Sequence, residues 1–416
     1  MRSITMARGS ITIAGGGIGG LAAALACTRA GWQVDVLEQA AVFGDVGAGI
    51  QLGPNATRIL HVWGLGDALA AVAREPECLR VRDSVTDTTL GLLPLGKAMR
   101  ERYGAPYCTV HRADLHRLLL DAARAAGTRL HMHCAIKNIA IERHSTLAYG
   151  LNDSKFASEA LLGADGVWSA VRQQCFALGK AVPTGHLAWR ALLPVQELPA
   201  GVSATEVSVW LGPQMHLVCY PVRYPGEGST AMNLVLIAQG QREGDAHHWS
   251  LKANAADVAT LRMPLHSTPA ALLAAVEPSV WTQWVLHEHL PVAGAGAMAQ
   301  GRVALLGDAA HAMRPYLAQG GAMALEDAAQ LEASLGLHGN NVPVALGHYA
   351  RARWQRNAQV QRRALRNGTI FHAAGALRWA RDAAMRIGGT RLLDMPWLYG
   401  EQRMVPPTGI EPVSST

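Results

Sequence analysis

No stretch of this chain reaches the roughly 18–20 apolar residues that a membrane span requires, because glycine or a charge interrupts every apolar run. Cysteine is scarce and unpatterned: Cys27, Cys78, Cys108, Cys134, Cys175 and Cys219 are scattered without a C-x-x-C pair. That spacing excludes a disulfide framework and a zinc site, and makes a reducing cytoplasm the simplest location. Acid is almost missing between Arg351 and Arg391, where ten arginines face Asp382 alone. Neither aromatic interleaving nor a nucleic-acid motif accompanies them, so the segment reads as a solvated Arg-rich helical face; a nucleic-acid partner and stable membrane insertion are not expected. A second G-x-G-x-x-G is also missing, since "GAGAMAQG" from Gly294 to Gly301 has the wrong spacing, which excludes a two-fingerprint disulfide reductase. Arg2 and Arg8 before "ITIAGGGIGGLAAALAC" imitate a secretion signal, but five glycines inside the apolar part argue against one. Ala24 before Cys27 argues against a lipoprotein site.

What is present fits an α/β protein. At 416 residues the chain is long enough for two domains, or for one large domain with an inserted subdomain. Ser10 to Ala14 reads as a buried strand, Gly15 to Gly20 as a turn, Leu21 to Ala30 as a helix, and "GWQVDVLEQ" as a second strand ending at Glu38. This is the opening of a doubly wound parallel sheet. "TVHRADLHRLLLDAARAAG" has a helical period with Leu115, Leu118, Leu119 and Ala122 on one stripe and Asp114 as the expected cap. "ALLGADGVWSAVR" repeats the strand, turn and helix. After Pro183 the texture changes to alternating strands, "HLAWRALLPV", "EVSVWLG", "MHLVCYPV" and "AMNLVLIA", an inserted and mostly antiparallel sheet. The expected division is a Rossmann-like dinucleotide domain over 1–180 and 286–342, a substrate-binding sheet over 181–285, helices over 343–400 and a disordered tail over 401–416.

Gly15, Gly17 and Gly20 form G-x-G-x-x-G between the first strand and its helix. The first glycine permits the turn, the second lets the backbone approach a pyrophosphate, and the third lets strand and helix pack closely. Glu38 follows 18 residues beyond Gly20, where a carboxylate can accept from an adenosine ribose. The unit is shared by nicotinamide dehydrogenases and flavoproteins, so the choice between them rests on the rest of the chain.

Three motifs in order, "GGGIGG" with Glu38, "GADG" at Gly163 to Gly166, and "LLGDAAH" with "AQGGAMALEDA" downstream, resemble the single-component FAD-dependent aromatic hydroxylases of the para-hydroxybenzoate and salicylate hydroxylase group. The resemblance covers about residues 11–335. It implies FAD as the bound cofactor, NADH or NADPH as a transient co-substrate, and O2 added to the flavin as a hydroperoxide that hydroxylates a small phenolic or aromatic acid. A second reading keeps the same machinery with a more apolar ring, as in ubiquinone-pathway or polyketide-type hydroxylases. The resemblance assigns Asp308 to the ribityl chain, Arg112 to the flavin, Asp165 to the pyrophosphate and ribose region, and the first amides near Gln319, Gly320 and Gly321 to the pyrimidine edge. The alternatives are helix capping for Asp308 and Asp165 and an exposed helix entry for Arg112. On "MHLVCYPV" side chains alternate, so His216, Val218 and Tyr220 share a face; the resemblance makes His216 the base on the substrate hydroxyl and Tyr220 an orienting donor, against a plain hydrogen-bonded pair within a sheet. The resemblance also places Pro315 where the family's substrate pocket forms. Arg314 is either a grip for a substrate carboxylate or a surface residue. Gln51 stands where some hydroxypyridine-acid hydroxylases carry His, and His311 reads as structural. A monomer or homodimer is expected.

Overall fold

The computed structural model describes residues 8–44, 49–151, 153–224, 229–240, 251–252 and 265–401. Arg2 and, after Glu401, the expected tail lie outside them. The first strand, Ser10–Ala14, sits inside a six-stranded sheet between Ala160–Gly163 and Gln33–Leu37; Val303–Leu305 and Arg129–His131 extend it in parallel, and the two residues Ala299–Gln300 close one edge antiparallel. The central strands Ser10–Ala14, Ala160–Gly163 and Val303–Leu305 are short and buried, as parallel strands covered on both faces must be. The helix Ile18–Arg29 begins three residues before the position expected from the sequence, taking Gly19 and Gly20 into its first turn. It is almost wholly buried because its small residues let the helices Arg112–Ala125 and Gly320–His338 approach closely. Asp114 lies in the first turn of Arg112–Ala125, but the cap is His111, whose ring accepts from the Ala113 amide.

The second layer is an eight-stranded sheet. In order it runs Leu251–Lys252, Thr282–Glu288, Val182–Pro194, Thr230–Gln239, Met215–Arg223, Val207–Gly212, Cys78–Asp83 and Thr89–Pro94. It is antiparallel except where Val207–Gly212 runs parallel to Cys78–Asp83. The sheet is therefore not confined to 181–285, since residues 78–94 supply two strands. Alternation sorts its two faces. Trp189, Trp210, Leu217 and Leu234 point to one side, into a core with Leu272. The register places Ala188, Ile237 and His216 in one row of the other face, Arg190, Val235 and Val218 in the next, and Leu192, Asn233 and Tyr220 in a third.

The Arg-rich segment is not simply a solvated face. Arg353 and Arg356, on the 30-residue helix Val342–Phe371, are buried and bind Glu326 and Asp327 of the helix Gly320–His338. Arg378 binds Asp83, and Arg381 binds Asp382. The compensating acids lie mostly outside the segment, which is why local charge counting misread it. Among the described residues no helix is long and apolar enough to cross a membrane.

Candidate active site

A cavity of about 580 Å³ runs along the carboxyl ends of Ser10–Ala14 and Val303–Leu305, the position at which open α/β sheets hold ligands. The fingerprint glycines divide in role. Gly15 has a φ of 95°, and a Cβ there would lie 2.5 Å from the Ala164 carbonyl oxygen; at Gly20 it would lie 1.8 Å from the Gly15 oxygen. Those two serve backbone packing. Gly17 lines the cavity and a Cβ on it would meet no protein atom within 4 Å, so its missing side chain leaves room for a ligand. Glu38 also lines the cavity, with one carboxylate oxygen accepting from the Gly16 amide at 2.7 Å and the other from Ala40 at 2.8 Å; both oxygens keep a further lone pair.

Asp308 opens the short helix Asp308–His311, directly after a Gly307 with a φ of 58°. No hydrogen bond to its carboxylate occurs among the described residues, so it caps nothing. It is enclosed by the fold yet exposed toward the cavity. Enclosure holds its carboxyl above the ordinary range, opposed by His311 and Arg112. A carboxylate enclosed by the fold, open to the cleft and without a protein donor is placed to accept from a ligand, and the hydroxyls of a sugar-alcohol chain are suitable donors. Arg112 lines the same cavity, and burial lowers its pKa against the pull of Asp308. Gly320 and Gly321 form the cavity wall at the start of Gly320–His338, an N-terminus without a side-chain cap; its free amides suit a group that acquires negative charge.

Two of the expected cofactor-site residues also engage protein partners through their side chains. The Asp165 carboxylate accepts from Ser169 Oγ at 2.5 Å, Ala170 N at 2.7 Å and Val171 N at 3.1 Å, so it caps the helix Ala170–Cys175 while bordering the cavity. The Gln319 side chain accepts from Asn55 Nδ2 at 3.0 Å and does not line the cavity. That Asn55 also donates to Glu326 at 2.7 Å, tying Gln319 into the buried ion network. His311 has a structural partner, Asp327, at 2.6 Å.

A second cavity, about 540 Å³, lies between the sheet and the C-terminal helices. The two adjoin: on Gly49–Leu52, Ile50 faces the first and Gln51 the second, and residues 315–321 pass from one wall to the other. His216, Pro315, Tyr316 and Tyr107 line the second cavity, and Tyr107 donates to Gln51 at 2.7 Å. The His216 Nδ1 is 2.8 Å from His372 Nε2, which leaves its Nε2 to the cavity. Burial, followed by His372 and His186, drives the His216 pKa well below the ordinary imidazole range, so the ring is neutral. Tyr220 is not an orienting donor here: its hydroxyl donates to the Gly49 carbonyl at 2.7 Å, and it lines neither cavity. Arg314 is no carboxylate grip either, since Glu288 takes it in a bidentate pair at 2.7 and 2.9 Å. Sequence reasoning missed His372, His186 and Tyr107, and also Arg190, whose guanidinium sits 3.9 Å from the Trp284 ring centroid on the same sheet face. The alternation that exposed His216 would have found Arg190; nothing local points to His372, 156 positions away.

Residues 8–364 match the family described as "FAD binding domain". A 3-hydroxybenzoate 6-hydroxylase of Polaromonas naphthalenivorans is 36% identical over 396 residues, covering 94% of this chain and 95% of its own. The chain belongs to the FAD-dependent aromatic hydroxylases. A 3-amino-4-hydroxybenzoate 2-monooxygenase of Streptomyces platensis is also 36% identical to this hydroxylase, over 403 residues and 96% and 98% of the two chains. Among solved structures, a salicylate hydroxylase substrate complex superposes with a TM-score of 0.79 at 21% identity, over 98% of this chain and all of that one. Klebsiella pneumoniae HpxO with FAD and uric acid gives 0.80 at 24%, over 92% and 94%. The hydroxylase thus uses FAD, with NADH or NADPH as reductant and O2 as the source of oxygen. The cleft residues fit that cofactor: a cradle open at Gly17, an acceptor without a protein donor at Asp308 and an uncapped helix N-terminus.

Proposed function

We propose that this hydroxylase acts on a single-ring phenolic acid held in the second cavity, with His216 as the base on its hydroxyl and Pro315 in the wall beside the ring. The observation that carries the reading is the neutral His216 with Nε2 left to an apolar cavity that adjoins the cofactor cleft. Two relatives are named for hydroxybenzoates. Bound FAD, reduced by NADH or NADPH, supplies one atom of O2 to the ring and releases the other as water. The chain's own contribution is to remove the phenolic proton, which raises the electron density of the ring carbon that receives oxygen. In the cofactor cleft, Gly17, Glu38, Arg112, Asp308, Gly320 and Gly321 are the residues assigned to hold FAD.

Arg363 favours an acid over a neutral phenol. It lines the substrate cavity, no acidic side chain binds it among the described residues, and its Nε is buried without a hydrogen bond. A substrate carboxylate would answer that charge. An Arg363→Met variant is expected to raise KM for the best phenolic acid about tenfold with kcat little changed, because a uniform binding contact is lost. A more apolar substrate is the second reading, favoured by the reach of the cavity past a single ring to Leu377, Met385 and Leu393.

The deciding experiment is to screen phenolic acids and alkylphenols for stimulated NADH or NADPH oxidation, oxygen uptake and hydroxylated product. Phenolic acids are expected to lead; a clear preference for alkylphenols would establish the second reading instead. His216→Ala should then lower kcat about a hundredfold at pH 7. Equal product formation by that variant from pH 6 to 9 would remove His216 from the base role. The six cysteines, unpaired in the structure, support a cytoplasmic location, and a monomer or homodimer remains the assignment to be checked by light scattering.

A further inference from the structure

His216 does not stand alone. Its Nδ1 lies 2.8 Å from His372 Nε2, the His372 Nδ1 lies 3.2 Å from His186 Nε2, and the His186 Nδ1 lies 3.0 Å from the Thr184 carbonyl oxygen. Three imidazoles from three places in the chain form one hydrogen-bonded line: a strand that crosses the middle of the large sheet, the C-terminal end of the helix Val342–Phe371, and the long strand Val182–Pro194. The line begins at the buried wall of the substrate cavity and ends at His186, which is partly open to solvent.

The chemistry of the far end fixes the whole line. A carbonyl oxygen only accepts, so His186 carries its proton on Nδ1, and in a neutral ring Nε2 is then an acceptor. His372 must therefore donate from Nδ1 and accept at Nε2, and His216 must donate from Nδ1. The Nε2 of His216 is left as a lone pair toward the cavity. All three rings are kept neutral. Burial, then His186, Arg314 and Arg381, push His372 down to about 3, and burial with Arg314 lowers His186. The groups that face the line from neighbouring elements are Tyr316, edge-on to all three rings at 5.1 to 6.2 Å, Phe371 against His216, the Arg314–Glu288 pair, and Arg381 with its Asp382. None of these is an acid placed to hold an imidazolium beside His216, so a proton arriving there has a path outward and no local counter-charge.

We propose that His372 and His186 act with His216 as a proton relay, positioning its Nε2 lone pair toward the substrate and carrying the substrate proton between the buried cavity and the surface. When the substrate O–H bond breaks, its proton binds His216 Nε2. The Nδ1 proton of His216 passes to His372 Nε2, that of His372 Nδ1 passes to His186 Nε2, and the partly exposed His186 ring gives its Nδ1 proton to water once that N–H leaves the Thr184 carbonyl, so that each ring ends with its proton on Nε2. The same steps in reverse return a proton to the product oxygen and restore the three tautomers. No electron changes hands. His372 and His186 are positioning residues, acting through His216.

This inference rests on the phenol-hydroxylating reading above, and its test separates the two. In FAD-loaded protein carrying ¹⁵N-labelled histidine, the ring-nitrogen shifts should assign His216 as protonated on Nδ1, with the resonances identified by the His216→Ala, His372→Phe and His186→Phe variants. His372→Phe should abolish that preference, whereas His372→Gln, whose amide oxygen can accept from Nδ1–H, should restore it. This readout needs no substrate; finding His216 protonated on Nε2 in the parental protein overturns the proposal whatever is turned over. With the phenolic acid that performs best in the screen, His186→Phe and His372→Gln should each lower kcat about tenfold at pH 6.5 with KM nearly unchanged. The deficit should close as pH rises to about 9.5, where the substrate hydroxyl ionises without help. Parental kcat in both variants at pH 6.5, or a deficit that stays constant with pH, sinks the relay. A protein that hydroxylates no phenol at all refutes the function reading, and the tautomer result then decides the positioning claim by itself.

Discussion

Replacing Arg353 by alanine is expected to cost about 3–5 kcal/mol, because it leaves a buried acid without its counter-charge. Arg353 donates to Asp327 at 2.8 Å, to Glu326 at 2.7 Å and to Asn357 at 3.0 Å, and Arg356 donates to both Glu326 oxygens at 2.6 and 2.7 Å. Two acids and two arginines balance inside the protein. Removing one arginine leaves a net negative charge beside the helix whose N-terminus borders the cofactor cleft. For a chain of this size the loss should appear as a drop in Tm of roughly 3–6 °C at pH 7. The pH dependence has a definite sign. Burial alone would raise both carboxyls, but Arg353 and Arg356 lower that of Glu326, and His311 with Arg353 lowers that of Asp327. Lowered acids stabilise the fold above their unfolded pKa values, near 4, and that contribution fades as pH falls through the native values. In the variant the acids lose much of this lowering, so the gap between variant and parent should be widest near neutrality and narrow below about pH 4. A Tm within 2 °C of the parent at pH 7 would show that water or relaxation replaces the arginine.

Gly17→Val should give a folded protein that has lost FAD. A Cβ at Gly17 meets no protein atom within 4 Å, so the fold has no reason to reject it, yet it would occupy the mouth of the fingerprint turn. The expected loss of FAD affinity is about a thousandfold, roughly 4 kcal/mol, with the circular dichroism spectrum of the apoprotein unchanged. Asp308→Ala should weaken FAD in the same direction, since it removes the acceptor that the protein leaves without a donor. Gly20→Ala is the contrasting control: its Cβ would fall 1.8 Å from a backbone oxygen, and insoluble protein is expected rather than colourless folded protein. Flavin absorbance across a gel-filtration peak distinguishes these outcomes. A Gly17→Val protein that elutes with one FAD per chain would mean that the pyrophosphate does not pass this turn.

The parts of the site legible in the sequence are those whose demands are local. A turn that brings a strand and a helix within contact of Gly15 and Gly20 admits few residues, and an acid directly after a buried strand, as at Asp308, is a costly placement that invites a ligand. The same locality misled the reading elsewhere. Asp165 lies four to six residues before three good donors and uses them, and Tyr220 finds a backbone carbonyl across the layer. The inserted sheet was visible from alternation, but its strands at 78–94 were not, because "CLRVRD" pairs with a segment more than a hundred residues away and "TLGLLP" joins the sheet only through "CLRVRD". His372 escaped notice for the same reason, and so did the acids that neutralise Arg353 and Arg356.

That distant strand pairing also sets an order of events during synthesis. Cys78–Asp83 lies beside Val207–Gly212 in parallel, so the hairpin at 78–94 leaves the ribosome well before its neighbour exists. At ordinary translation speed the wait is on the order of ten seconds. Through that interval an apolar ribbon stands with an open edge, a template for mispairing with other nascent chains. The two layers are thus sewn together by the chain itself, and neither can be cut out as a free-standing module without reopening that seam.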